Sequence, residues 1–231
     1  MKLSIIIPCF NEEKTVEVII EKIHQNYKDE KEIIVIDDFS SDQSKNILEK
    51  LLNKKKIDHL LINEKNFGKG YCLRKGIQKS TGEIILFQDA DLEYDPVFYN
   101  KLVKPISNNH ADVVFGTRFM GSEVRRILYF WHSVGNYIIT LLSNMFSNLN
   151  FTDIENCYKV FNKKIIVNLD LKEDRFGIEP EIVAKIAKIK NIRIYEVSVS
   201  YFGRTYLEGK KITWKDGFSA IRCILKYNLF K

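Results

Sequence analysis

The chain has 231 residues, 45% hydrophobic and 29% charged, with a formal net charge of +6. That composition excludes a disordered or collagen-like chain and allows one large core. The mild basic excess favours an anionic partner (a nucleotide, a phospholipid surface or a nucleic acid) and is equally met by a surface charged for solubility.

Cys9, Cys72, Cys157 and Cys223 lie far apart without C-x-x-C spacing. This argues against a zinc site, a redox dithiol or a disulfide framework, and fits reduced thiols in a cytosolic protein. The opening MKLSIIIPCFNEE has too short an apolar run for a signal peptide and reads as a first strand. That strand, Leu3–Ile7, is ended by Pro8. Asn11 is placed to cap a helix, with Glu12 and Glu13 in its first turn and Val16, Ile19, Ile20 and Ile23 at helical spacing. Glu32–Ile36 reads as a second strand ending in Asp37 and Asp38. Asp42 can cap the next helix, which carries Ile47, Leu48, Leu51 and Leu52, and Leu60–Ile62 is a third strand. A glycine-punctuated helix from Gly68 to Ser80 precedes a fourth strand, Ile84–Phe87, and a helix around Pro96–Ile106 leads to a fifth, Asp112–Phe115. Short strands alternating with longer helices are βαβ units, so the fold class is α/β: a mostly parallel sheet flanked by helices. Ligands of such sheets bind beyond the carboxyl ends of the strands. Pro8–Glu12, Asp37–Asp38 and Asp89–Asp91 each follow such an end, so one rim collects them.

From Ile127 to Thr152 there is no Asp, Glu, Lys or Arg. Yet eight of the 23 residues from Ile127 to Leu149 are His, Ser, Asn or Thr, unlike a membrane span of about 20 predominantly apolar residues. Ser133, Asn136, Thr140, Ser143, Asn144 and Ser147 recur at three- and four-residue steps, while Val134, Ile138, Leu141, Leu142 and Met145 occupy another face. The pattern predicts an amphipathic helix with an uncharged polar stripe. A helix near Glu179–Ile189 and a strand near Ile192–Val199 follow. The last segment, Thr213–Leu229, is again amphipathic, with Trp214, Phe218, Ile221 and Leu225 apolar and Lys215, Arg222 and Lys226 basic. Without an internal repeat or a low-complexity linker, the chain reads as one domain.

FQDADLEYDP drives the fourth strand into Asp89, Asp91 and Glu93 at alternate positions. Uncompensated, such carboxylates repel one another and raise their own pKa values, so a positive charge is expected among them. Asp89-Ala90-Asp91 can converge on Mg²⁺ or Mn²⁺, hard cations that take oxygen ligands and substrate phosphates. Taken alone, the pair reads better as an acidic, solvated turn.

It is not alone. IIIPCFNEE, EIIVIDDFSSD, NFGKG, LFQDADLEYDP and GTRF occur in that order, each at a strand end or helix start. The series resembles the family 2 glycosyltransferases of the GT-A fold, most closely the polyprenyl-phosphate sugar transferases such as the dolichol-phosphate mannose synthases. DIENCYKVF, RFGIEPEI and YFGRTYLEGKKITWKDGF extend the likeness over nearly the whole chain.

The resemblance implies a single GT-A domain, with residues 1–120 binding the nucleotide sugar and 121–231 forming the acceptor half and an amphipathic extension. Pro8, Phe10, Glu12 and Ile36 would line the nucleotide pocket, and Asp38 would accept a hydrogen bond from the base, with Asp37 a structural acid. Lys69, between two glycines that let backbone approach a phosphate, would neutralise the donor diphosphate. Asp89, Ala90 and Asp91 would hold that diphosphate through the metal, Asp91 most directly. Glu93 stands where the mannose synthases commonly place Gln, so it is either a third metal ligand or a helix cap. Arg118 and Arg126 would grip the acceptor phosphate, and Arg204 and Lys210 would close over the donor diphosphate. Asp153 and Glu155 would orient the sugar or bind a cation, because a phosphate acceptor is already anionic and needs no general base.

The implied reaction is an inverting, metal-dependent transfer from a nucleotide-diphosphate sugar to a polyprenyl phosphate, with GDP-mannose and UDP-glucose both fitting. A family 2 transferase acting on a glycan or lipid hydroxyl, and a non-catalytic binding module, are the alternatives. No basic stripe with interleaved aromatics points to nucleic acid. The two amphipathic helices suit either a peripheral site on the inner membrane face or packing on the core or a second subunit.

Overall fold

The computed structural model describes residues 1–231 except Ser122, Leu128, Ile212, Thr213, Lys231 and the side chain of Lys215. Expectations resting on Thr213 and Lys215 lie outside the described residues. Among those described, seven strands form one sheet in the order β3-β2-β1-β4-β6-β5-β7. They are β1 (Leu3–Cys9), β2 (Lys31–Asp37), β3 (His59–Ile62), β4 (Ile84–Phe87), β5 (Val113–Thr117), β6 (Lys159–Asn162) and β7 (Ile194–Ser198). Helices α1 (Val16–Asn26), α2 (Ser44–Asn53), α3 (Lys69–Lys79), α4 (Tyr99–Ser107), α5 (Phe130–Ser147), α6 (Lys163–Ile166), α7 (Ile178–Ile186) and α8 (Trp214–Leu229) flank it.

The central strands are apolar at most positions because each feeds two cores. Ile5, Ile7, Ile33, Val35, Ile84 and Leu86 pack into one core with α1 and α2, and Ile6, Ile34, Ile36, Ile85 and Phe87 into the other with α3 and α7. This is the period-two alternation of a strand buried on both faces. β1, β2, β3 and β4 run parallel, and so do β5 and β7; β6 is antiparallel to both β4 and β5. The carboxyl ends of β1, β2, β4 and β5 therefore meet at one rim.

Two expectations are corrected and one strand is added. β1 continues through Pro8 to Cys9; its ladder with β4 stops at Ile6–Phe87, so on that side the strand has ended its pairing before proline's missing N–H arises. Asn11 does not cap α1. It adopts φ 50° and its side-chain oxygen accepts from the Ser41 N–H at 2.8 Å, while the helix starts at Val16 after Thr15. β6, unforeseen, is a short Lys-Val-Phe-Asn strand whose first residue is a fully buried lysine.

The stripe of α5 faces inward. Thr140 and Ser143 are buried, and Asn144 exchanges hydrogen bonds with the Phe151 backbone at 2.8 and 3.0 Å. Phe130, Trp131, Tyr137, Ile138, Leu141 and Met145 are exposed instead. On α8 the inward residues are Ala220, Cys223, Ile224 and Tyr227, so Trp214, Phe218 and Leu225 of the expected apolar face also point outward. Among the described residues no helix is long and apolar enough to cross a membrane.

Candidate active site

The rim opens into a cleft of about 780 Å³, lined by every residue expected of the site except Ile36, Arg126 and Asp153. Ile36 is fully buried in the core beneath it. Arg126 turns away to pair with Glu208 at 2.7 Å and with the Gly203 carbonyl, which takes it out of the set converging on the cleft. Asp153 is covered by Arg118.

Gln88, which the sequence reading passed over, anchors the acidic loop. Its Oε1 accepts from the Tyr99 and Tyr158 hydroxyls at 2.8 and 2.9 Å, and its Nε2 donates to the Asp89 carbonyl at 3.0 Å. The positive charge demanded by the acids comes from the protein itself. Both oxygens of Asp89 face Lys69 Nζ, at 2.9 and 3.2 Å, and Lys69 also pairs with Glu179 at 3.0 Å. Glu179 in turn meets the buried Lys159. Burial pushes the Asp89 carboxyl up, but the charge and hydrogen bond of Lys69, with Cys157 and the Lys159 charge, together hold the group below its ordinary value.

Asp91 Oδ2 accepts from Arg204 Nη2 at 2.6 Å, and its Oδ1 accepts from the Glu93 N–H at 3.0 Å. Arg204 Nη1 reaches both oxygens of Glu12, at 3.1 and 3.2 Å, and its backbone N–H donates to Glu93 Oε1 at 2.8 Å. Lys211, also missed, adds a second cation to Glu12 at 2.6 Å. Burial, then the charges of Asp89 and Glu93, push the Asp91 carboxyl up to about 7.

The donor side is built by Asp38 and α3. Asp38 accepts from the N–H groups of Phe67 (3.0 Å) and Gly68 (2.7 Å) and from Asn63 Nδ2 (2.7 Å), so it pins the start of α3. Asp37 accepts from the Ser40 N–H at 3.2 Å. The glycines flanking Lys69 serve the protein's own packing. A Cβ on Gly70 would lie 2.2 Å from the Glu173 carbonyl oxygen, and one on Gly68 2.6 Å from that of Asp174. The 173–175 segment thus presses on α3 and brings Arg175 and Phe176, neither foreseen, to the cleft.

On the other side Arg118 is held by a fork. Its Nε and Nη2 donate to the two oxygens of Asp153 at 2.6 and 2.7 Å, and Nη2 also to Asn136 Oδ1 at 3.1 Å. Its guanidinium lies 5.0 Å from the Tyr201 ring centre. Glu155 faces the same chamber with a buried Oε1 that has no partner among the described residues. Burial and the charge of Glu179 push its carboxyl up to about 7. Lys210 approaches His132 Nδ1 at 3.1 Å while Tyr206 meets His132 Nε2 at 3.2 Å, tying the 203–211 loop to α5.

Among the described residues no three His, Cys, Asp or Glu side chains form a ready metal cage. The donors that Asp89 and Asp91 supply are hard carboxylate oxygens. They fit a cation such as Mg²⁺ or Mn²⁺, which takes one or two carboxylates and fills its shell with water and substrate phosphate.

The family model described as Glycosyl transferase family 2 matches residues 4–169. An uncharacterised protein of Methanocaldococcus jannaschii is 30% identical over 219 residues, covering 90% of this chain and 93% of that protein. Dolichol-phosphate mannosyltransferase of Pyrococcus furiosus is 24% identical over 220 residues, covering 92% of this chain and 61% of that one, so this chain spans about three fifths of its length. The crystal structure of glucosyl-3-phosphoglycerate synthase from Mycobacterium tuberculosis with Mn²⁺, UDP and phosphoglyceric acid superposes with TM-score 0.73 at 18% identity, over 98% of this chain and 78% of that one. The chain therefore belongs to glycosyl transferase family 2, has the GT-A fold and is a glycosyltransferase.

Proposed function

We propose that this glycosyltransferase transfers a sugar from a nucleotide-diphosphate sugar to a polyprenyl phosphate, with inversion, while attached peripherally to the cytoplasmic face of a membrane. The observation that carries the reading is continuity. Trp131, Trp214 and Gly217 line the same cleft as Asp89 and Asp91, and they belong to α5 and α8, which expose Tyr137, Leu141, Met145 and Phe218. A lipid-borne phosphate could reach the acidic corner without its chain leaving an apolar surface. Arg222 and Lys226, expected to attract anionic lipid, both pair with Glu173, at 2.6 and 2.9 Å, so most of the attachment falls to the apolar residues.

A phosphate oxygen of the acceptor attacks the anomeric carbon as the bond from that carbon to the diphosphate breaks, and the nucleoside diphosphate leaves. Arg118, oriented by Asp153, offers its guanidinium to the acceptor phosphate, as guanidinium forks suit phosphate oxygens. Lys69 and the 203–211 loop supply positive charge to the leaving group. Asp89 and Asp91 would hold a divalent cation whose contribution is further neutralisation of that diphosphate. Residues 1–120 chiefly serve the donor and 121–231 the acceptor. Catalysis rests on positioning and electrostatic stabilisation. The mannosyl name of one relative and the glucosyl name of one fold neighbour leave GDP-mannose and UDP-glucose as the two donors to try.

Asp91→Ala tests the site. Transfer to a short polyprenyl phosphate with Mg²⁺ or Mn²⁺ should fall by roughly 10²-fold or more, and near-normal turnover would contradict the assignment. The partnerless Oε1 of Glu155 favours one second reading, a hydroxyl acceptor with Glu155 as general base.

A further inference from the structure

We propose that Arg204 is the resting counter-ion of the metal corner, and that a divalent cation binds there by exchange with its guanidinium, releasing the 203–211 loop to the donor diphosphate. The inference rests on the metal reading of Asp89 and Asp91 above and adds a competitor to it.

The geometry leaves little room for both cations. Each Asp91 oxygen already accepts one hydrogen bond: Oδ1 from the Glu93 N–H at 3.0 Å, Oδ2 from Arg204 Nη2 at 2.6 Å. A metal ligated by Asp91 would sit beside this guanidinium and compete with it for the same negative charge. The same guanidinium spans to Glu12 through Nη1 at 3.1 and 3.2 Å, and Nε lies 3.4 Å from Glu93 Oε1. One planar fork thus meets three carboxylates, two of which, Asp91 and Glu93, are among the acids expected to hold the metal. Two like charges would not share this enclosed corner, since the Arg204 side chain is only 19% exposed and that of Asp91 11%.

Elsewhere the loop is tied by Lys211 to Glu12 at 2.6 Å and by Lys210 and Tyr206 to His132 at 3.1 and 3.2 Å, and one further tie is exposed. Glu208 pairs with Arg126 where both side chains are nearly half exposed, and such pairs are worth little. Gly209 at φ 91° makes a turn beside Lys210 in the left-handed region that glycine favours. Arg204 displaced from Asp91 would find its next partner in an arriving diphosphate, which makes metal and nucleotide binding mutually reinforcing.

The test is Mn²⁺ binding, followed by the electron paramagnetic resonance of free Mn²⁺, to the full chain and to Arg204→Gln, each with and without GDP or UDP. The wild type should bind Mn²⁺ weakly alone and more tightly with nucleoside diphosphate. Arg204→Gln should bind Mn²⁺ alone at least about tenfold more tightly than the wild type, a difference of about 1.4 kcal/mol, with a smaller gain from nucleotide. A second measurement needs no variant: saturating Mn²⁺ alone should speed tryptic cleavage after Lys210 in the wild type. Equal Mn²⁺ affinity in the two proteins, or unchanged cleavage with Mn²⁺ bound, would overturn the exchange while leaving the metal reading intact. Absence of Mn²⁺ binding by either protein even with nucleotide would remove the metal reading and the exchange together.

Discussion

Replacing Asp153 with Asn tests whether Arg118 is positioned by a buried charge. Asp153 is fully buried and the Arg118 side chain is only 14% exposed. The pair is joined at 2.6 and 2.7 Å, and the Arg118 N–H adds a third bond to Asp153 at 3.1 Å. Asn keeps the volume and one acceptor but leaves the guanidinium without its counter-charge. Breaking a buried pair from one side destabilises by about 3–5 kcal/mol, and the retained acceptor places Asp153→Asn near the lower end, about 3 kcal/mol. That is a large part of the 5–15 kcal/mol typical of a domain. In urea, with a slope of about 2–3 kcal/mol/M, the midpoint should drop by roughly 1 M or more at unchanged slope. Arg118→Met combined with Asp153→Asn should recover part of the loss, giving a coupling of about 2 kcal/mol in the double-mutant cycle. The shift should persist at high salt, because a buried pair is poorly screened. A loss under about 1 kcal/mol with negligible coupling would show that Arg118 is not held by this charge.

Glu155 makes a prediction of opposite sign. Its carboxyl rises from an ordinary 4.5 to about 7 in the folded chain, so between those values the native state holds more protons than the unfolded one. Stability contributed by protonated Glu155 is complete below the unfolded value and is lost as pH rises through about 7. Glu155→Gln should therefore be more stable than wild type at pH 8 by about 2–3 kcal/mol and nearly equal to it at pH 4, as urea melts would show. The same variant should retain transfer to polyprenyl phosphate, whereas loss of activity would favour the hydroxyl-acceptor reading. Wild type should co-sediment with anionic vesicles, and Tyr137→Ser, Met145→Ser and Phe218→Ser together should weaken partitioning at least about tenfold; a wild type that stays in the supernatant would exclude stable attachment.

The sheet was largely legible because its strands are short, apolar and separated by helices of plain 3.6-residue period. Residues that share a strand end can be grouped from sequence alone, which is why the acidic residues at the ends of β1, β2 and β4 could be placed at one rim. β6 escaped because its apolar content is just Val160 and Phe161, and its buried lysine is tolerated through Glu179, a partner 20 residues away. The faces of α5 and α8 were read correctly as periodic, but periodicity alone does not say which side meets the protein; Asn136 and Asn144 turn α5 by bonding Arg118 and Phe151. Asp38 was read as a base contact, yet it also closes the turn into α3, a bond set spanning 25 to 30 residues. The occupation of the acidic corner by Arg204, more than a hundred residues downstream, leaves no local trace at all.

The account depends most on the acceptor. Purified full chain should be given UDP-glucose or GDP-mannose with Mg²⁺ or Mn²⁺, and release of UDP or GDP followed with and without a short polyprenyl phosphate. Release from one donor that requires the polyprenyl phosphate, and that yields an acid-labile sugar lipid, is the predicted result. Equal release with the matching polyprenol, or with no lipid present, would contradict it.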